Sequence, residues 1–365
     1  MRSILDELTS ELEELKALVE SISPVNQALA RHHDSLVSNY VSVRRRFDDA
    51  AFAVALYASF EKFIESLVAA FAQLEARRLE YIALPEKLKT RHFSGTLEML
   101  RRGRIGEGRY VGLTELDVVR NLFECLNGAK SYRLNEAAVV AHDQNLRAGE
   151  IDALFAAVGI EKICDLACRA DAMVAWFCAE KGLEVPPQDG VQRTVIEGRL
   201  VDIVERRNQV AHRGVSPVNL LGPDDMAVEV GFVEALSRAI FSLVVGTYLK
   251  AHHAATAIQL RQREQDGPYK GGTIVVVEKP TCRLVVGQRV YVLVGTCARW
   301  GRIQSLKVDD AEFQAVDGGV AAENGIGVGL DFKCPKGAVL VALPVKDDVK
   351  DDLVWSPQPC FAPSG

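Results

Sequence analysis

The sequence predicts a multidomain α + β chain, an all-α helical bundle followed by a small β-barrel. Three observations predict it. Apolar residues at spacings of three and four, with abundant alanine and leucine, run through the chain to about residue 266. The composition then changes sharply at Asp266-Gly267-Pro268. Beyond that point come short runs rich in β-branched residues and separated by glycines, the pattern of a small barrel or sandwich.

Taken in order, Ile4, Leu8, Leu12, Leu15, Val19 and Ile22 form one helical stripe with acidic residues between. That helix can pack on the body of the protein or pair with a second copy. A long helix is expected over about Asp49 to Leu79, and a basic one over Lys87 to Arg109, loosened by Gly103, Gly106 and Gly108. Further helices are expected over Glu115–Leu126, Glu150–Val158, Glu161–Lys181, Gln192–His212 and Asp225–Leu260. Strand-like runs follow at Thr273–Val277, Arg289–Val294, Arg302–Val308 and Ala338–Leu343. The expected division is an N-terminal helical segment over 1–44, a helical domain over 45–265, a barrel over 270–345 and a disordered tail over 346–365. A chain ending near Gln265 is expected to fold.

Composition narrows the function. A formal net charge of -6 argues against a generally basic nucleic-acid coat, though not against a local basic patch. No run reaches the roughly 18 apolar residues of a membrane helix. The start Met1-Arg2-Ser3-Ile4-Leu5-Asp6-Glu7 turns acidic at once, unlike a signal peptide, so a cytoplasmic protein without membrane partners is expected. The eight cysteines include no Cys-x-x-Cys pair. Cys164, Cys168 and Cys178 read as small buried hydrophobes rather than as metal thiolates. The adjacent pairs His32-His33 and His252-His253 cannot share a helix face, and read as surface histidines.

The informative segment is Arg206-Arg207-Asn208-Gln209-Val210-Ala211-His212-Arg213-Gly214, with Gly214 as a plausible helix stop. Asn208 and His212 are four apart and lie on one helix face. The grouping suits RNA cleavage, because RNA carries its own nucleophile, the 2′-hydroxyl. Histidine can act as base or acid, and arginine offers a charged planar fork to phosphate. Asparagine can orient the histidine or donate to phosphate. The scheme needs no metal and no cofactor. The same residues would also make an ordinary solvated helix end suited to the helix dipole.

Arg207, Asn208 and His212 match the signature of the HEPN superfamily: an arginine, a polar residue, three more residues and a histidine. The helix holding Tyr57-Ala58-Ser59-Phe60-Glu61-Lys62-Phe63-Ile64-Glu65 is similar to the first core helix of RiboL-PSP-like bacterial HEPN domains. Asn145-Leu146 and Ile151–Ile160 resemble their middle region, and the likeness spans roughly 45–260. The resemblance implies a HEPN bundle that homodimerises, so that two motifs share one composite site. It implies a metal-independent endoribonuclease of phage-defence or toxin type, with an antitoxin or defence protein as a partner. A non-cutting RNA binder or scaffold in such a complex is the alternative. The tyrosine that follows the histidine in one toxin subgroup has no counterpart in Arg213-Gly214-Val215-Ser216.

Glu61 either holds Arg207, polarises His212, or is a plain surface charge. Lys87, Lys89, Arg91, His92, Arg101, Arg102, Arg104 and Arg109 form the best stretch for RNA-backbone contacts, with Phe93 and Tyr110 as stacking candidates. A solvated helix face would look the same. The C-terminal runs Thr273–Lys279, Leu284–Val292, Gly301–Asp309 and Gly327–Leu330 resemble a translation-factor domain-two barrel, without the GTPase domain that normally precedes it. That likeness implies a tRNA or ribosome-associated target, tRNA or another structured RNA, against a structural or protein-contact barrel.

Overall fold

The structure, a computed structural model, describes residues 1–31, 34–213, 220–263, 267–309, 311–319 and 325–344, with Arg109, His212 and Arg213 described by backbone alone. The readings made for His32-His33, for the residues following Arg213 and for the tail lie outside the described residues.

The helical stripe at the N-terminus becomes α1 (Arg2–Ala30), which buries Leu5, Leu8, Leu12, Leu15, Val19 and Ile22. It continues past Ile22 and through Pro24. Helix α2 (Ser35–Ala76) starts well before the expected Asp49, where the Asp34 carboxylate caps it by accepting from Leu36 N–H at 2.7 Å. From Phe52 onward it carries the core residues Phe52, Phe60, Phe63, Leu67 and Phe71. Lys62 on α2 ties α1 down through Glu7 and Glu11, at 2.6 and 2.9 Å.

Helix α3 (Glu86–Arg102) ends at Gly103, whose positive φ of 62° a glycine adopts without strain. Helix α4 (Glu115–Leu126) has the expected bounds and is capped by Thr114. Then come α5 (Glu136–Val139) and α6 (Ala148–Ala157). The single helix expected over Glu161–Lys181 is two, α7 (Ile163–Ala167) and α8 (Asp171–Lys181). The break has a local cause. The Cys168 carbonyl is taken by Val191 N–H at 2.8 Å, and Ala170 is extended. Cys164 and Cys168 are buried there, and burial pushes both thiols above their ordinary pKa. Helices α9 (Arg193–Arg213) and α10 (Pro223–His253) complete the ten α-helices among the described residues. None of the described helices is long and apolar enough to cross a membrane.

Two compact units emerge, essentially Ser3–Phe241 and Ser242–Gly365, with the boundary inside α10. The second unit is a curled antiparallel sheet of half-barrel form. Its strands are β1 (Ile258–Leu260), β2 (Ile274–Val277), β3 (Leu284–Val285), β4 (Arg289–Val294), β5 (Cys297–Val308), β6 (Ala311–Phe313), β7 (Ala315–Val316), β8 (Ile326–Leu330) and β9 (Leu340–Ala342). The main order is β1-β9-β4-β5-β8-β2, β6 pairs with β5, and β3 pairs with β7. A bridge between Gln262 and Val277 brings the two ends of that order together. Val275, Val290, Val292, Ile303, Leu306, Val328 and Leu340 fill the core. Ile258–Leu260, read from sequence as the end of a helix, is strand β1, because β9 offers it a register of backbone partners.

Candidate active site

Helix α9 puts Arg207 and Asn208 in its last turns, and α2, which packs on α9, sets Tyr57, Glu61 and Glu65 one turn apart. Residues 141–147, between α5 and α6, cross the same region. Together they open a cavity of about 810 Å³. Arg102, Arg104, Arg147 and Arg207 bring four guanidinium groups to it, against the carboxylates of Glu61, Glu107 and Asp143. His142, Asn145 and Tyr110 also line it.

Arg207 donates from Nη1 to Asn208 Oδ1 at 3.2 Å, and its guanidinium lies 5.3 Å from the centre of the Tyr57 ring. Asn145 Nδ2 donates to the same Asn208 oxygen at 3.1 Å. The Tyr57 hydroxyl donates to Glu61 Oε1 at 2.8 Å and accepts from Leu146 N–H at 3.0 Å. Burial pushes that hydroxyl well above its ordinary pKa.

His142 is nearly enclosed, its side chain 4% exposed. Its Nδ1 lies 2.6 Å from the Gln144 carbonyl oxygen, and its Nε2 lies 2.9 Å from Glu65 Oε1 and 3.9 Å from Glu61 Oε1. Carbonyl and carboxylate oxygens accept, so the ring meets an acceptor at each nitrogen, a setting that favours its protonated form. The bond to Glu65 is the main force holding its pKa above the usual histidine value. Ligand atoms of Glu61, Glu65 and His142 all lie within 4.8 Å of one another, close enough to hold a cation. With His142 protonated, the same atoms form an ion pair between the imidazole and Glu65.

A polar cleft beside an arginine–asparagine turn at the end of a long helix invites comparison with known families. A family model described as RiboL-PSP-HEPN matches residues 6–246. The chain belongs to the RiboL-PSP-HEPN family. Among curated proteins none matches it. The HEPN match covers all of α2 to α9 and so contains every residue of the cleft. Membership points to RNA, as something to be cut or bound.

In this HEPN domain the cleft collects some of the residues singled out from sequence and leaves others elsewhere. Arg207, Asn208 and Glu61 come together; the side chain of His212 lies outside the described residues. Glu61 takes the Tyr57 hydroxyl, not the Arg207 guanidinium, as its hydrogen-bond partner. Arg206 turns aside, with Nη1 3.9 Å from the buried Asp49 carboxylate. Of the basic stretch, Arg102 and Arg104 line the cleft. Arg102 is shared between Glu98 and Asp143, and Arg101 is held by Glu98. Lys87 pairs with Glu161 and Lys89 with Glu86, outside the cleft lining. Arg91 donates to the carbonyls of Val139 and Ala141, and so fastens the start of the 141–147 loop.

His92 is not a backbone contact: it is fully buried. Its Nε2 accepts from Asn135 N–H at 3.0 Å, so Nδ1 carries the proton toward Tyr81, and burial lowers its pKa to about 4. Sequence reasoning also missed His142 and Arg147. The polar run His142-Asp143-Gln144-Asn145 between two apolar helices was the available signal.

Proposed function

We propose that this HEPN protein is a metal-independent endoribonuclease. The observation that carries the reading is the cleft itself: Arg207 of the motif shares one cavity with Arg102, Arg104 and Arg147, a spread of guanidinium groups suited to successive phosphates. Arg104 has no ion-pair partner among the described residues and is the most available of them. In the proposed reaction His212 exchanges the proton between the attacking 2′-oxygen and the leaving 5′-oxygen. Arg207 and Asn208 hold the crowded phosphate. The products carry a 2′,3′-cyclic phosphate and a 5′-hydroxyl.

The target proposed is tRNA or another structured RNA, on the likeness of the C-terminal sheet to a translation-factor barrel, and the setting is defence or toxin activity. The dimer remains part of the proposal. Its support is a stripe of exposed apolar residues on α2, Leu36, Tyr40, Val43 and Phe47, spaced as a helical seam.

The test is a cleavage assay with the purified chain, in EDTA, on RNA and on the same RNA with one 2′-deoxy residue at the cut site. RNA should be cut and the deoxy strand should survive. Cutting of the deoxy strand, or a strict need for divalent metal, would overturn the mechanism. RNA bound but never cut would favour the non-catalytic binder.

A further inference from the structure

Arginine has hydrogen-bond donors only, and this fixes the orientation of a chain of side chains. The Asn208 atom 3.2 Å from Arg207 Nη1 must be its oxygen. No other placement of that amide avoids setting donor against donor, so the choice rests on chemistry and not on a fitted flip. Asn145 meets the same oxygen at 3.1 Å and must therefore present its nitrogen. Its own Oδ1 then lies 3.4 Å from the Tyr57 hydroxyl. That hydroxyl has one proton, which the closer Glu61 oxygen takes at 2.8 Å, and Leu146 N–H fills its lone pair at 3.0 Å. Tyr57 is 2% exposed and cannot move, and its ring lies beneath the Arg207 guanidinium.

Two consequences follow for Asn208. Its oxygen is occupied by two donors. Its two amide hydrogens have no partner among the described residues, and they sit beside a guanidinium at the edge of the cleft. An amide N–H pair next to arginine suits an anionic oxygen.

We propose that Asn145, outside the motif, is a positioning residue for it: Asn145 locks the Asn208 amide so that its N–H groups and the Arg207 fork address the same phosphate. The inference rests on the reading of this cleft as an RNA site.

The experiment is a cycle of Asn145→Ala, Asn208→Ala and the double variant, with Asn145→Asp added. Rates are read on an RNA that the unaltered chain cuts. Affinities are read on the same RNA with 2′-O-methyl groups, which cannot be cut. Asn145→Ala should lower kcat about tenfold, the upper scale of one lost neutral hydrogen bond, with KM within about twofold. In the Asn208→Ala background it should have no further effect. Asn145→Asp should be worse than Asn145→Ala, because it sets a carboxylate against the Asn208 oxygen. If Asn145 merely shaped its loop, the losses would add and Asn145→Asp would be the milder change. Additive losses, or an Asn145→Ala indistinguishable from the parent, overturn the inference. A chain that binds the methylated RNA but cuts nothing overturns the cleavage reading, and with it the kinetic coupling that rests on it. A chain that neither cuts nor binds RNA overturns both.

Discussion

The imidazole of His142 faces an oxygen at each nitrogen, and this gives it a pH signature. Its folded pKa is raised above the ordinary histidine value of 6.5, chiefly by Glu65. The stability it contributes is therefore fully present below about 6.5 and is lost as pH rises through the folded value. The melting-temperature gap between the unaltered chain and Glu65→Gln should narrow as pH rises from about 6 to 9. A gap that stays constant would mean that His142 is not charged. His92 behaves in the opposite sense. Its pKa is lowered to about 4 by burial, so the stability it contributes is present above 6.5 and is lost as pH falls toward 4. The motif makes a separate prediction. His212→Ala and Arg207→Ala should each slow cleavage by about a hundredfold or more. Arg207→Lys should rescue poorly, since a lysine cannot reproduce the planar fork that divides itself between Asn208 and phosphate. Circular dichroism should show all three variants folded; loss of the helical signal would make the rate losses uninformative about chemistry.

Helices α3 and α5 meet at Gly95, where a Cβ would come within 2.5 Å of the Ala138 carbonyl oxygen. Backbone cannot yield as a side-chain tip does, so Gly95→Ala forces the two helices apart. It should cost about 1–3 kcal/mol, read as a lower denaturation midpoint in urea. The effect should reach the cleft, because the segment leaving α5 is the one that Arg91 fastens through the Val139 and Ala141 carbonyls. A Gly95→Ala chain as stable as the parent would show that this approach is looser than the geometry says. Within α2 the burden is divided by position. No residue of 35–48 is buried, whereas the later turns carry the aromatic core and, at Tyr57, Glu61 and Glu65, one wall of the cleft.

For the whole molecule, the division inside α10 changes what a truncation would do. Ser242 Oγ donates to the Ala298 carbonyl at 2.8 Å, and a Cβ on Gly246 would lie 2.2 Å from the Thr296 carbonyl oxygen. The end of α10 is thus fitted closely to the β4–β5 hairpin. A chain ending at 265 would keep this part of the helix and β1 while losing their partners. It would bare the turn of α10 around Ser242 and Gly246 that the hairpin covers. Such a chain should aggregate or bind a hydrophobic dye, in contrast to the independent folding expected from composition. A monodisperse, dye-negative product would support independent folding of a chain ending near 265. Light scattering of the full chain tests the dimer. A monomer that still cuts RNA at low concentration would show that one copy supplies the whole site.

By itself the sequence determined the fold class, helices followed by short strands, and offered the motif. Both are written in short-range terms: apolar periods of three and four, β-branched runs, and a polar triplet within two helical turns. Periodicity also gave α4 and the buried stripe of α1 closely. It failed at α7 and α8 and at β1, where a partner distant in sequence took the backbone groups: Val191 at Cys168, and β9 at Ile258–Leu260. The site divided along the same line. Arg207 and Asn208 could be read from spacing, but spacing cannot say which distant side chains face them. Packing of α2 on α9, and the path of the 141–147 loop, decided that His142, Asn145 and Arg147 belong to the cleft. The same packing decided that Arg91 and His92, basic by composition, are structural. A charge in a sequence has no direction until burial and hydrogen bonding give it one, and those depend on neighbours that only the folded chain brings together.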